Sequence, residues 1–160
     1  MTAPLLVFGW GNPSRGDDAL GPLFIEQFEQ LVHQHPEWGE IDYLTDFQLQ
    51  VEHALDLQNR RRVLFVDASR NAPAPCTLHA IQPHKDASFS THAMSAQTIL
   101  QVYADIHDSA PPPTWQLAIR GVDFELGAPL SNVAQEHLRA ALAIVAAWMD
   151  SYTEIVAAQL

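Results

Sequence analysis

Apolar residues come in short blocks along this chain, and the spacing within each block separates strands from helices. Residues 4–9, PLLVFG, form an unbroken apolar run closed by glycine, the pattern of a strand buried on both faces. A loop over 10–18 leads into ALGPLFIEQFEQLVHQH, where Leu20, Leu23, Phe24, Phe28 and Leu31 recur at helical spacing until Pro36 ends the helix. EIDYLTDF (40–47) predicts a second strand with Thr45 and Asp46 at its end, and VEHALDLQ (51–58) a short helix with Val51, Ala54 and Leu55 on one side. RRVLFVDAS (61–69) is the clearest strand: a basic lead-in, four apolar residues, then Asp67.

Further along, TLHAIQP (77–83) alternates only weakly and reads as a shorter edge strand, with antiparallel pairing as an option. DASFSTHAMS (86–95) is expected to be an ordered loop opening a helix over 95–107. Three consecutive prolines in DSAPPPT (108–114) mark an exposed connector before the last strand, WQLAIRG (115–121). The chain then turns helical over 131–160, with Ser131 as candidate N-cap and Leu138, Leu142, Val145 and Met149 on the core face. Without an internal repeat, linker or low-complexity tract, 1–160 reads as a single domain. Strands alternating with helices predict an α/β three-layer sandwich: a twisted, mostly parallel sheet of about five strands with helices on both faces. Ligands in such sheets bind beyond the carboxyl ends of the strands, where the connections diverge. The loop 10–18, Asp46, Asp67 and the residues after Gly121 are therefore the places where chemistry is expected.

Composition narrows the classes. The 160 residues carry 19 acids against 8 Lys and Arg, a formal charge of −11. That balance argues against sequence-independent binding of nucleic acid or anionic lipid, which needs a basic patch to displace counterions. One cysteine, Cys76, rules out an internal disulfide, and a packing role is expected for it. No run approaches the ~20 apolar residues of a membrane span, and the first residues lack a secretory pattern. A cytoplasmic protein is the expectation.

The first loop, GWGNPSRGDDALG, invites a nucleotide reading that fails on its own chemistry. Gly9 and Gly11 are present, but Ser14 stands where the third glycine of GxGxxG belongs, and Asp17 and Asp18 occupy the place a pyrophosphate would take. Complementing a helix dipole accounts for one aspartate, but less well for the glycines, Asn12 and Pro13 that shape the path before it. Asp67 ends a strand expected beside the first, so two strand ends deliver carboxylates to one crevice. His92, in STHAMS, lies between a strand and a helix N-terminus. Two carboxylates and an imidazole suit a borderline divalent ion such as nickel or zinc. His33 and His35 do not share a helix face; His53, His84, His107 and His137 read as solvated, and His79 alternates along a strand. HExxH and GxSxG motifs are absent.

GWGNPSRGDDALG, VLFVDAS and STHAMS, in this order and at these separations, resemble the endopeptidases that mature [NiFe] hydrogenases. DFQLQVEHALDL (46–57) and IRGVDFELGAPLS (119–131) extend the resemblance from Leu5 to about Trp148. Some members carry glutamate where Asp18 stands, and many carry glycine at the position of Ala19. The resemblance implies removal of a C-terminal extension from a hydrogenase large-subunit precursor after nickel insertion. It implies that Asp18, Asp67 and His92 are both the catalytic and the metal-contacting residues. The nickel comes with the precursor, and no organic cofactor is expected. Either a carboxylate serves as general base on water, or Asp18 and Asp67 share one proton. The precursor is the expected partner, met by a monomer, with Arg120, Asp123, Glu125 and Asp46 as candidate contacts. A non-cleaving maturation chaperone and a Rossmann-like nucleotide module are the alternatives.

Overall fold

The computed structural model describes residues 2–85 and 94–159. Five strands form one sheet: β1 (Leu5–Trp10), β2 (Ile41–Asp46), β3 (Arg62–Ser69), β4 (Cys76–Ile81) and β5 (Thr114–Arg120). Their spatial order is β2-β1-β3-β5-β4. β1, β2, β3 and β5 run parallel, and β4 pairs antiparallel with β5 at the edge. The weak alternation around residue 80 is thus that of an antiparallel edge strand. The chain steps from β1 outward to β2, then back across β1 to β3, so the connections diverge between β1 and β3. This is the switch point where a crevice opens.

Strand periodicity sorts the core into two layers. Leu5 and Val7, Leu64 and Val66, and Leu117 and Ile119 face one side, packed on Phe24 and Phe28 of α1 (Leu20–Val32) and on Leu138, Val145 and Met149 of α3 (Asn132–Ala158). Leu6, Phe8, Val63 and Phe65 face the other, against Ala54 and Leu57 and against Ile99, Leu100 and Tyr103 of α2 (Ala96–His107). Phe8, Phe24, Phe28 and Phe65 are fully buried, each contributing about 1.5–3 kcal/mol by leaving water. Leu142 is only partly buried at the margin of α3's core face.

Two local forms differ from expectation. The segment Val51–Leu57 is a 3₁₀ helix, and a 3₁₀ turn, Gly16–Ala19, precedes α1. The tighter winding turns His53 inward, where it is buried against Phe8 with ring centroids 4.6 Å apart, instead of solvated. His137 is half-buried and bonded to the Arg120 carbonyl at 2.8 Å. At the amino end of the sheet, Arg62 is buried between Trp148 and Tyr152, its guanidinium carbon 4.5 and 3.5 Å from their ring centres.

Candidate active site at the carboxyl end of the sheet

α1 enters unusually close to β1. A Cβ on Gly9 would stand 2.5 Å from the Gly21 carbonyl oxygen, and one on Gly21 would overlap the Trp10 carbonyl. The paired absence of side chains lets the first turn of α1 lie directly on the strand end. Gly11 then turns the chain at φ +150, where a Cβ would strike the Asp18 carbonyl. The loop folds back on itself, so Asp18 comes to rest above the end of β1.

The two adjacent aspartates point opposite ways. Asp17 is 0% exposed. Its Oδ2 accepts the Val122 N–H (2.8 Å), the Asp123 N–H (3.1 Å) and the Ser131 hydroxyl (2.8 Å), while Oδ1 accepts the Ser131 N–H (2.8 Å). Burial works to raise its pKa, but the bonds from Val122, Ser131 and Asp123 outweigh it and the carboxyl is held below the usual range. Asp17 is therefore a clamp between the first loop, the segment after β5 and the start of α3, not a dipole complement to α1. Ser131 also caps α3 as expected, its hydroxyl accepting the Ala134 N–H at 3.1 Å.

Asp18 is half-buried, and its Oδ2 accepts the Asn12 N–H at 2.6 Å. Asp67 lies near the end of β3 on the same face as Phe65, and its Oδ1 accepts the Gln116 side-chain N–H at 3.3 Å. Burial is the main force raising the Asp67 pKa; the Gln116 bond opposes it and the charge of Asp18 adds to it, leaving the group at about 7. Asp18 and Asp67 thus sense each other across the crevice between β1 and β3. A carboxyl that titrates near neutrality can both accept and return a proton. His92 lies outside the described residues. Among the described residues no group of three or more His, Cys, Asp or Glu side chains is placed to hold a metal ion. The two carboxylates supply hard oxygen donors of the kind a divalent cation takes.

Asp46, beside Trp10 at the end of β2, is bonded at both oxygens: the Phe47 N–H donates to Oδ1 (2.7 Å), and His53 Nε2 lies 3.1 Å from Oδ2. The Gln50 N–H donates to His53 Nδ1 at 2.8 Å, so the ring proton sits on Nε2 and goes to Asp46. Arg120 is turned away onto the Ala72 carbonyl at 2.9 Å. Arg15, Arg70, Asp123, Phe124, Glu125 and Leu126 border an open recess of about 680 Å³, with Arg70 over the Phe124 ring at 4.2 Å. Sequence reasoning missed His53 and Gln116. The signal for His53 was its place beside Ala54 and ahead of Leu57, on an otherwise inward-facing side; that for Gln116 was a lone amide inside an apolar strand.

No family model matches the sequence, and no curated protein does. Solved structures do match in fold. A [NiFe] hydrogenase maturation protease HycI from Thermococcus kodakarensis KOD1 superposes with a TM-score of 0.67 at 19% identity, over 92% of this chain and 94% of that one. The hydrogenase maturating endopeptidase HybD from E. coli gives 0.70 at 20% identity, over 92% and 93%. A hydrogenase 2 maturation peptidase from Thaumarchaeota archaeon SCGC_AB-539-E09 gives 0.60 at 18%, over 88% and 94%. The chain has the fold of these proteins along nearly its whole length.

Proposed function

We propose that this protein is an endopeptidase that removes the C-terminal extension of a nickel-loaded [NiFe] hydrogenase large-subunit precursor. Asp18, Asp67 and His92 contact the nickel that the precursor brings. The observation that carries this reading is the meeting of two carboxylates, Asp18 and Asp67, at the switch point of the sheet, near enough for the charge of one to act on the other. The fold shared with three maturation peptidases supports it. So does the order of the chain: α2 ends at His107, shortly before Thr114 opens β5 at the amino end of the sheet, so the helix runs back from the carboxyl end. His92 precedes Ala96 by four positions.

In this reading Asp67, ionised, takes a proton from water as the water oxygen bonds to the scissile carbonyl carbon. The same proton passes to the leaving nitrogen as the C–N bond breaks, which regenerates the carboxylate. Burial, with the neighbouring Asp18 carboxylate adding to it, keeps the Asp67 proton affinity high. Binding to the precursor uses exposed apolar side chains in the segments that follow the carboxyl ends of β2 and β5, Phe47 in one and Val122 and Leu126 in the other. Among the described residues no helix is long and apolar enough to cross a membrane.

Incubation of the protein with nickel-loaded precursor, followed by the mass of the large subunit, tests the reading. Loss of the extension is expected, and Asp18→Asn, Asp67→Asn and His92→Ala are each expected to abolish it with the far-UV spectrum intact. A precursor that is bound but keeps its mass identifies a chaperone instead. A thermal shift with a nucleotide and none with Ni²⁺ or Cd²⁺ points to the nucleotide module.

A further inference from the structure

The two crevice acids are held by the protein in the same economical way. Asp18 spends Oδ2 on the Asn12 N–H, and Asp67 spends Oδ1 on the Gln116 amide. Among the described residues Gln116 is the one hydrogen-bond donor that reaches the Asp67 carboxyl. Gln116 stands in the middle of β5, the strand paired with β3, and its register partner on β3 is Phe65, two residues before Asp67. On the other side its antiparallel partner is His79 of β4. Leu117 and Ile119 point to the opposite face of the sheet; on its own face Gln116 is half-buried beside Phe65, and the partner its amide finds there is Asp67. Its use is the bond it makes.

We infer that Gln116 is the positioning residue of Asp67: its amide holds Oδ1 and so fixes the plane of the carboxyl, leaving Oδ2 directed into the crevice. Removing the amide frees rotation about the Cβ–Cγ bond of Asp67 without removing the carboxyl. A side chain two bonds from any reacting atom then sets how often the acid is correctly aimed. The catalytic consequence rests on the peptidase reading above; the bond itself does not.

Two measurements test this. In side-chain ¹⁵N–¹H spectra of the full chain, the Gln116 amide signals are expected to shift when Asp67 is replaced by Ala. Signals indifferent to Asp67→Ala overturn the inference, whatever the protein's activity. In single-turnover processing of nickel-loaded precursor, Gln116→Leu, which matches glutamine in bulk, is expected to lower kcat by about 10-fold or more with KM within about twofold. An unchanged kcat overturns the inference, as does a loss confined to KM. If the wild-type chain cleaves no precursor, the peptidase reading fails, and the spectra alone decide the role of Gln116.

Discussion

Replacing Asp17 by Asn is the sharpest test of how the site is built. Four donors converge on the Asp17 carboxylate from residues 105 to 114 positions away along the chain. Asparagine can keep an oxygen where the Val122 N–H, the Asp123 N–H and the Ser131 hydroxyl meet. Its nitrogen must then face the Ser131 N–H, donor against donor. One charge-assisted bond is lost, about 1.5–3 kcal/mol, and a backbone donor is left unpaired, about 1–3 kcal/mol more. The sum is about 2.5–6 kcal/mol, and at about 2–4 °C per kcal/mol for a chain of this size Tm should fall by about 5–24 °C at pH 7. Circular dichroism melts and urea titrations measure it. Ser131→Ala, which removes the hydroxyl bond to Asp17 and the cap on α3, should cost less, about 1–2 kcal/mol. Because the folded-state pKa of Asp17 is lowered, its contribution is complete above the unfolded value of about 3.9 and is lost as pH falls through the lower folded value. The difference between wild type and Asp17→Asn should therefore narrow in acid below pH 4. A Tm within 2 °C of wild type at pH 7 would refute the clamp.

Three other outcomes are expected. Asp67 binds its proton more tightly folded, at about 7, than unfolded, so wild-type stability should decline as pH rises from about 4 to 7 and level off above the folded value. Asp67→Asn should then melt higher than wild type at pH 8, by at most about 4 kcal/mol of stability, and match it at pH 4; equal melting curves across that range count against the buried acid. His53→Phe should lower stability by about 1–3 kcal/mol, since the Gln50 N–H loses its acceptor and Asp46 its donor; urea midpoints decide this. Gly11→Ala should cost about 1–3 kcal/mol and slow processing, because the new Cβ meets the Asp18 carbonyl at a positive φ; a variant with normal melting and turnover contradicts that geometry.

The frame of this fold was legible because β1 and β3 are apolar blocks that end in glycine and aspartate, and because the spacing of Leu20, Phe24 and Phe28 admits no strand. Asp18 and Asp67 were legible as strand-end acids in a parallel sheet, where geometry alone sends such residues to the crevice. The role of Asp17 was not legible, since its partners lie at Val122, Asp123 and Ser131, and long-range backbone donors leave no trace in local sequence. His53 was misplaced by assuming α-helical winding for a 3₁₀ segment. Gln116 was overlooked since its role appears only once β5 lies beside β3. His92 falls outside the described residues and is tested by mutation alone.

Residues 17 and 18 sit in a 3₁₀ turn, where each step rotates the side chain by about a third of a circle. Their duties cannot be exchanged. Insertion or deletion of one residue between Trp10 and Gly16 would put the wrong member of the pair into the closed socket and leave the other on the wrong heading. The length of that stretch is thus constrained as tightly as its composition, and length variants there should be tolerated less well than most substitutions at Pro13, Ser14 or Arg15.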